Sequence, residues 1–156
     1  MKYAFTPPSG WSRSPFPPPQ RGVYLRAPIP APSPESASIL LFEAVAPAGT
    51  LEEQLVTLAK QGCDGVKIAK SGKPAAVKTR SFAASAMSMV VEVPTEKKPR
   101  EELRVFVLVQ TDGDRLPVAF IGGARSLPVH QKAFDDLLGS IGDLVLEPTF
   151  YTRWVE

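Results

Sequence analysis

Val105 to His130 reads VFVLVQTDGDRLPVAFIGGARSLPVH. Two apolar runs flank TDGDR, and a Gly-Gly pair precedes a stretch with helical spacing. Asp-Gly between strand-like runs is a strong hairpin signal, because Gly113 accepts a positive φ. A calcium loop would need oxygen ligands continuing at alternate positions. After Asp112 and Asp114 come Leu116, Pro117 and Val118, so the ligand series stops. TDGDR is expected to be the turn of an antiparallel pair.

The next segment, GGARS, stands where a phosphate cradle would stand, since amides at a helix start attract anions. It matches neither G-x-x-x-x-G-K-[ST] nor G-x-G-x-x-G. Gly122 and Gly123 are therefore expected to end the strand and permit close packing, with at most an opportunistic anion near Arg125. The helix that follows is expected to be capped by Ser126 and to carry His130, Phe134, Leu137, Leu138 and Ile141 on one face.

Working back along the chain, AMSMVVEV is a further strand, and PTEKKPREE is a charged, proline-bounded turn. VKIAKSGKPAAVKTRSFAA suggests two strands joined at SGKP. GTLEEQLVTLAKQGCDG is a helix. Thr50 followed by Glu53 forms a capping box, and Leu51, Leu55, Leu58 and Ala59 make its apolar stripe. Gly62 is expected to close it in the left-handed conformation. SASILLFEAVAP, GVYLRAP and YAFTPP read as earlier strands, with Trp11 in the core and LVLEP as a short closing strand. Of 17 prolines, ten lie in the first 34 residues; within the proline-rich loop segment 15–34, SPFPPPQRG and APIPAPSPES are too rich in proline for helix or central strand and are expected to be stiff connectors on either side of GVYLRAP.

Short connections between successive strands favour antiparallel pairing. The expected fold is α+β: a mainly antiparallel six- to seven-stranded sheet packed with two principal helices. The expected organisation is a single domain over 1–148, with an aromatic tail over 149–156.

FTPPSGW, ILLFEAVAPAGTLEEQLVTL, the meander ending in VFVLVQTDGDRLPVAFIGG, and HQKAFDDLLGSI together resemble the PsbP-like superfamily. That group includes PsbP, the Ran-binding factor Mog, the DcrB proteins and the Eag chaperones. The resemblance covers roughly 3–142 and rests on element order and hydrophobic pattern. It implies a protein that works by binding another protein.

Candidate chemistry is sparse. The single histidine, His130, lies on the apolar edge of a helix and is expected to hold a hydrogen-bond partner. Cys63, the single cysteine, excludes an internal disulfide and is expected to be buried packing. Ser140 lies in GSIG, which is not a nucleophile elbow. No catalytic, cofactor-binding or metal-binding residue is assigned, and no cofactor is expected.

The net charge of +2 does not by itself imply nucleic acid, but its distribution is uneven. Residues 65–91 hold Lys67, Lys70, Lys73, Lys78 and Arg80 with no acid, and 1–34 hold Lys2, Arg13, Arg21 and Arg26 with none. Lysines on a sheet edge also guard against unwanted strand pairing. The tail carries Phe150, Tyr151, Arg153 and Trp154, residue types that dominate binding hot spots.

These two groups are the partner-binding candidates. No apolar run is long enough to span a bilayer, and the start lacks the pattern of a secretory signal. The expectation is a non-catalytic cytoplasmic protein-binding module, adaptor or chaperone-like, for a secreted effector or a small GTPase. Its partner would be another protein, with no specific nucleic acid and no membrane span, and self-association as a homodimer is compatible with it. The alternative is a small-molecule-binding protein or enzyme using a pocket between sheet and helices.

Overall fold

The computed structural model describes residues 3–29, 33–143 and 151–152. Val105–His130 folds as read: β8 (Arg100–Gln110), a turn, β9 (Arg115–Gly123) and α2 (Ser126–Ser140). The turn is closed by Thr111, whose hydroxyl donates to the Asp114 carbonyl at 2.9 Å and accepts from the Asp114 amide at 3.0 Å. Gly113 contributes no positive φ, because the loop spans four residues between the paired Gln110 and Arg115.

Before this pair come β1 (Tyr3–Ala4), β2 (Ser12–Pro15), β3 (Gly22–Arg26), β4 (Ala37–Phe42), α1 (Leu51–Gln61), β5 (Lys67–Ser71), β6 (Ala75–Lys78) and β7 (Ala83–Val93). After it come β10 (Gly142–Asp143) and β11 (Tyr151–Thr152). The main sheet is wholly antiparallel and has eight strands, in the order β2-β3-β4-β9-β8-β7-β5, with β6 also paired to β7. β1, β10 and β11 form a small separate sheet. The α+β antiparallel architecture with two helices is thus the one read from the sequence. The main sheet has one strand more than expected.

The strand not read from the sequence is β2, which pairs with β3 just ahead of the prolines at 17–19. SGKP does not make a hairpin. β7 is 11 residues long, and β5 and β6 pair end to end along its one free edge, Ser71 opposite Met89 and Ala75 opposite Ala86. They act as one edge strand, broken where the Gly72 amide still donates to the Ser88 carbonyl and Pro74 offers no amide.

Strict alternation sends residues of each strand to opposite faces. Val23, Leu25, Ile39, Leu41, Val118 and Phe120 face α2 and the β1 segment, where they meet Phe134, Leu137, Leu138, Tyr3 and Phe5. Met87, Met89, Val91, Phe106 and Leu108 face α1 and meet Leu55, Ala59 and Cys63. Both helices bury the stripes that their spacing implied.

Their ends differ from expectation. Thr50 caps α1 as read, its hydroxyl accepting the Glu53 amide at 3.1 Å. Gly62, however, is right-handed, with φ −69°. Its role is space: a Cβ there would come within 2.4 Å of the Phe106 ring. Ser126 is the first residue inside α2, not its cap, and its buried hydroxyl donates to the Gly123 carbonyl at 2.7 Å. Gly122 and Gly123 do allow close packing, since a Cβ on Gly123 would sit 2.4 Å from the Pro34 carbonyl oxygen. Trp11, expected in the core, is only half-buried, as is Phe42 on β4.

Candidate functional site

α1 packs on β7 and β8 and leaves the β3–β4 part of its face without a helix. Cross-strand register fixes what lies there. Arg26 on β3 pairs with Ser38 on β4, and Ser38 pairs with Ile121 on β9. One step along, Tyr24 pairs with Leu40. Paired residues share a face, so Arg26, Ser38, Ile121 and Tyr24 form a continuous floor. Three strands spaced ~4.8 Å apart make that floor about 10 Å wide.

Two walls stand beside it. One is the segment around Pro28, Ile29 and Pro34. The other is the β7–β8 loop with Thr95, Lys97, Lys98 and Pro99, which the Thr95 hydroxyl closes by donating to the Lys98 carbonyl. Together they enclose an open trough of about 1420 Å³. Pockets for drug-sized ligands run ~300–1,000 Å³. No residue of either helix lines the trough, so it does not lie between sheet and helices as the small-molecule alternative supposed.

The trough is positively charged. Arg26, Lys97, Lys98 and Arg100 line it, against Glu101 and Glu102. Glu102 is already neutralised, accepting from Arg104 Nε at 2.8 Å and lying 3.6 Å from Arg100. The Arg26 guanidinium sits 4.8 Å from the Tyr24 ring centroid, a cation–π contact, and has no carboxylate partner among the described residues. The Ser38 hydroxyl donates to the Tyr24 hydroxyl at 3.3 Å, which orients the ring.

The residues singled out from the sequence lie elsewhere. Lys67, Lys70, Lys73 and Lys78 line the broken edge strand, with Lys67 3.6 Å from Glu92. The Arg80 guanidinium lies against the Gly142 backbone. Tyr151 is in β11, which pairs with β1. Phe150, Arg153, Trp154 and the LVLEP segment lie outside the described residues.

His130 is buried on α2, its Nε2 2.8 Å from the Glu35 carbonyl oxygen, with the Trp11 ring edge-on at 5.3 Å. Burial pushes the Cys63 thiol above its ordinary value, against the opposing pull of the neighbouring Arg104. At the start of α2, the Pro34 and Ser36 carbonyls accept from Arg125 and Gly123, so the protein itself fills the supposed cradle. Among the described residues, no three His, Cys, Asp or Glu side chains converge as a metal site.

Sequence reasoning missed Arg115. It is buried on β9 without a carboxylate partner among the described residues. Its Nη1 donates to the Gln54 side chain at 2.7 Å and the Gly49 carbonyl at 3.0 Å, and Nε donates to Gln110 at 2.6 Å. It ties the start of α1 to β9 and so sets where the helical cover begins. No local signal marks it, because Arg115 and Gln54 are 61 residues apart.

No protein-family model matches the sequence, and no curated protein sequence does. Solved structures do match. LpqN, involved in cell envelope biogenesis of Mycobacterium tuberculosis, aligns with a TM-score of 0.57 at 12% identity, over 89% of this chain and 81% of that one. Cyanobacterial PsbP (CyanoP) of Synechocystis aligns at 0.55 and 17%, over 91% and 86%. PA94 of Pseudomonas aeruginosa, a protein of unknown function, aligns at 0.54 and 17%, over 89% and 99%. The open antiparallel sheet with two helices is the PsbP-like fold. None of the three is described as an enzyme. Among the described residues, no helix is long and apolar enough to cross a membrane.

Proposed function

We propose that this chain is a non-catalytic protein-binding module, adaptor or chaperone-like, which captures another protein on the part of the sheet that α1 leaves open. The observation that carries this reading is the 1420 Å³ trough: its floor mixes an aromatic, an arginine and an aliphatic side chain, and its walls are stiffened by proline. A cytoplasmic location fits the reading. The aromatic tail, 149–156, is a second contact candidate, since Tyr, Trp and Arg recur at hot spots.

A photo-crosslinking side chain at Ile121, in the trough, and another at Val129, exposed on α2, test it in cells. Adducts to a protein from the Ile121 position and not from Val129 are expected. Adducts from Val129 alone would overturn the reading. The rival, a small-molecule-binding protein or enzyme, draws on the polar Tyr24–Ser38–Arg26 cluster, and a metabolite retained in native mass spectrometry would favour it.

A further inference from the structure

We propose that the trough receives an extended acidic segment of the partner protein; this rests on the binding-module reading and names the chemistry of what binds. Charge decides the sign. The lining carries four cations and two carboxylates, and Glu102 is held between Arg100 and Arg104. Arg26, Lys97 and Lys98 have no carboxylate partner among the described residues. Arg26 lies over the Tyr24 ring. A guanidinium held this way keeps its N–H fork free for a carboxylate, which it can grip at two points.

Shape decides the class. The cations are divided between the floor (Arg26) and a wall (Lys97, Lys98), so one small anion does not exploit the whole length of the site. A bilayer offers headgroup phosphates to the cations but no single chain of side chains to lie along Tyr24 and Ile121. A chain lying in the trough meets both sets, its acids within reach of Arg26 and of the Lys97–Lys98 wall and its apolar side chains resting on Tyr24 and Ile121.

The probe is a fluorescein-labelled peptide alternating glutamate with leucine, added to the full chain and followed by fluorescence anisotropy. Saturable binding that weakens as salt rises is expected. Arg26→Glu should weaken it at least tenfold, and Lys97→Glu with Lys98→Glu should do the same. Both sites are exposed, so the fold should survive, and circular dichroism checks that.

The edge variant Lys67→Glu with Lys70→Glu should bind as the unmodified chain does, and a lysine–leucine peptide should not bind. Equal loss in the edge variant, or none in either trough variant, would overturn the proposal. So would complete competition by inorganic phosphate at matched ionic strength, or binding to phosphatidylglycerol vesicles without peptide binding. If the Ile121 crosslinker captures a protein while both trough variants bind peptide normally, the acidic-segment inference fails and the binding-module reading stands.

Discussion

The two faces of the main sheet are written in the same alternating code and end up differently. Beneath α2, Leu25, Ile39, Leu41 and Phe120 are wholly buried. On the opposite face of the same β3 and β4 strands, Tyr24, Leu40 and Phe42 are half-buried, because α1 covers β7 and β8 instead. Alternation states which residues share a face. It does not state how far a helix will cover that face. The side with incomplete cover is the one that holds the trough.

The comparison is tested most severely under α2. Phe120→Ala should cost about 3–5 kcal/mol through lost burial and the cavity left against Phe134. Urea denaturation measures it, and a negligible shift in midpoint would mean that this face is not the core.

Arg115→Met should cost roughly 2–3 kcal/mol, because charged hydrogen bonds to Gln54 and the Gly49 carbonyl are lost while the stem still packs. Hydrogen exchange should then quicken at the start of α1 and not in α2. Uniform acceleration would show that Arg115 does not specifically anchor that helix.

On the incompletely covered side, Tyr24→Ala should cost only about 1 kcal/mol, as for a substitution outside the tight core. The same variant should weaken binding of the acidic peptide. A stability loss matching Phe120→Ala would erase the distinction between the faces.

The smallest effect concerns Cys63, whose thiol is raised by burial. The folded chain keeps this proton to higher pH than the unfolded chain does. The stability it confers is therefore full below the ordinary thiol value of 9.0 and is lost as pH rises through the folded value. Cys63→Ala should flatten the pH dependence of stability in that alkaline range. An unchanged slope would mean the thiol is solvated after all.

Much of the architecture could be read directly from the chain. The β8–β9 pair, the Thr50 cap, the stripes of both helices and the charged turn before β8 depend on neighbours within a few residues, and local patterns encode them. GGARS was legible as a packing device because glycines at a strand end have few other uses. SGKP misled because a turn signal marks a break in a strand but cannot name its partner. Here the long edge of β7 was available to both segments. Gly62 misled in the same way, since the ring that demands the missing Cβ belongs to Phe106, far along the chain.

The sequence alone determined both helices, most of the strands, the buried stripes and the mainly antiparallel class. Tertiary structure alone decided the site. Arg26, Ser38 and Ile121 become neighbours only when β4 pairs with both β3 and β9, and β9 lies some eighty residues downstream. The lysines at 67–78 are conspicuous because they are close in sequence. Arg26 and the Lys97–Lys98 pair are far apart in the chain, and long-range strand register, set by burial of the other face, brings them to one trough.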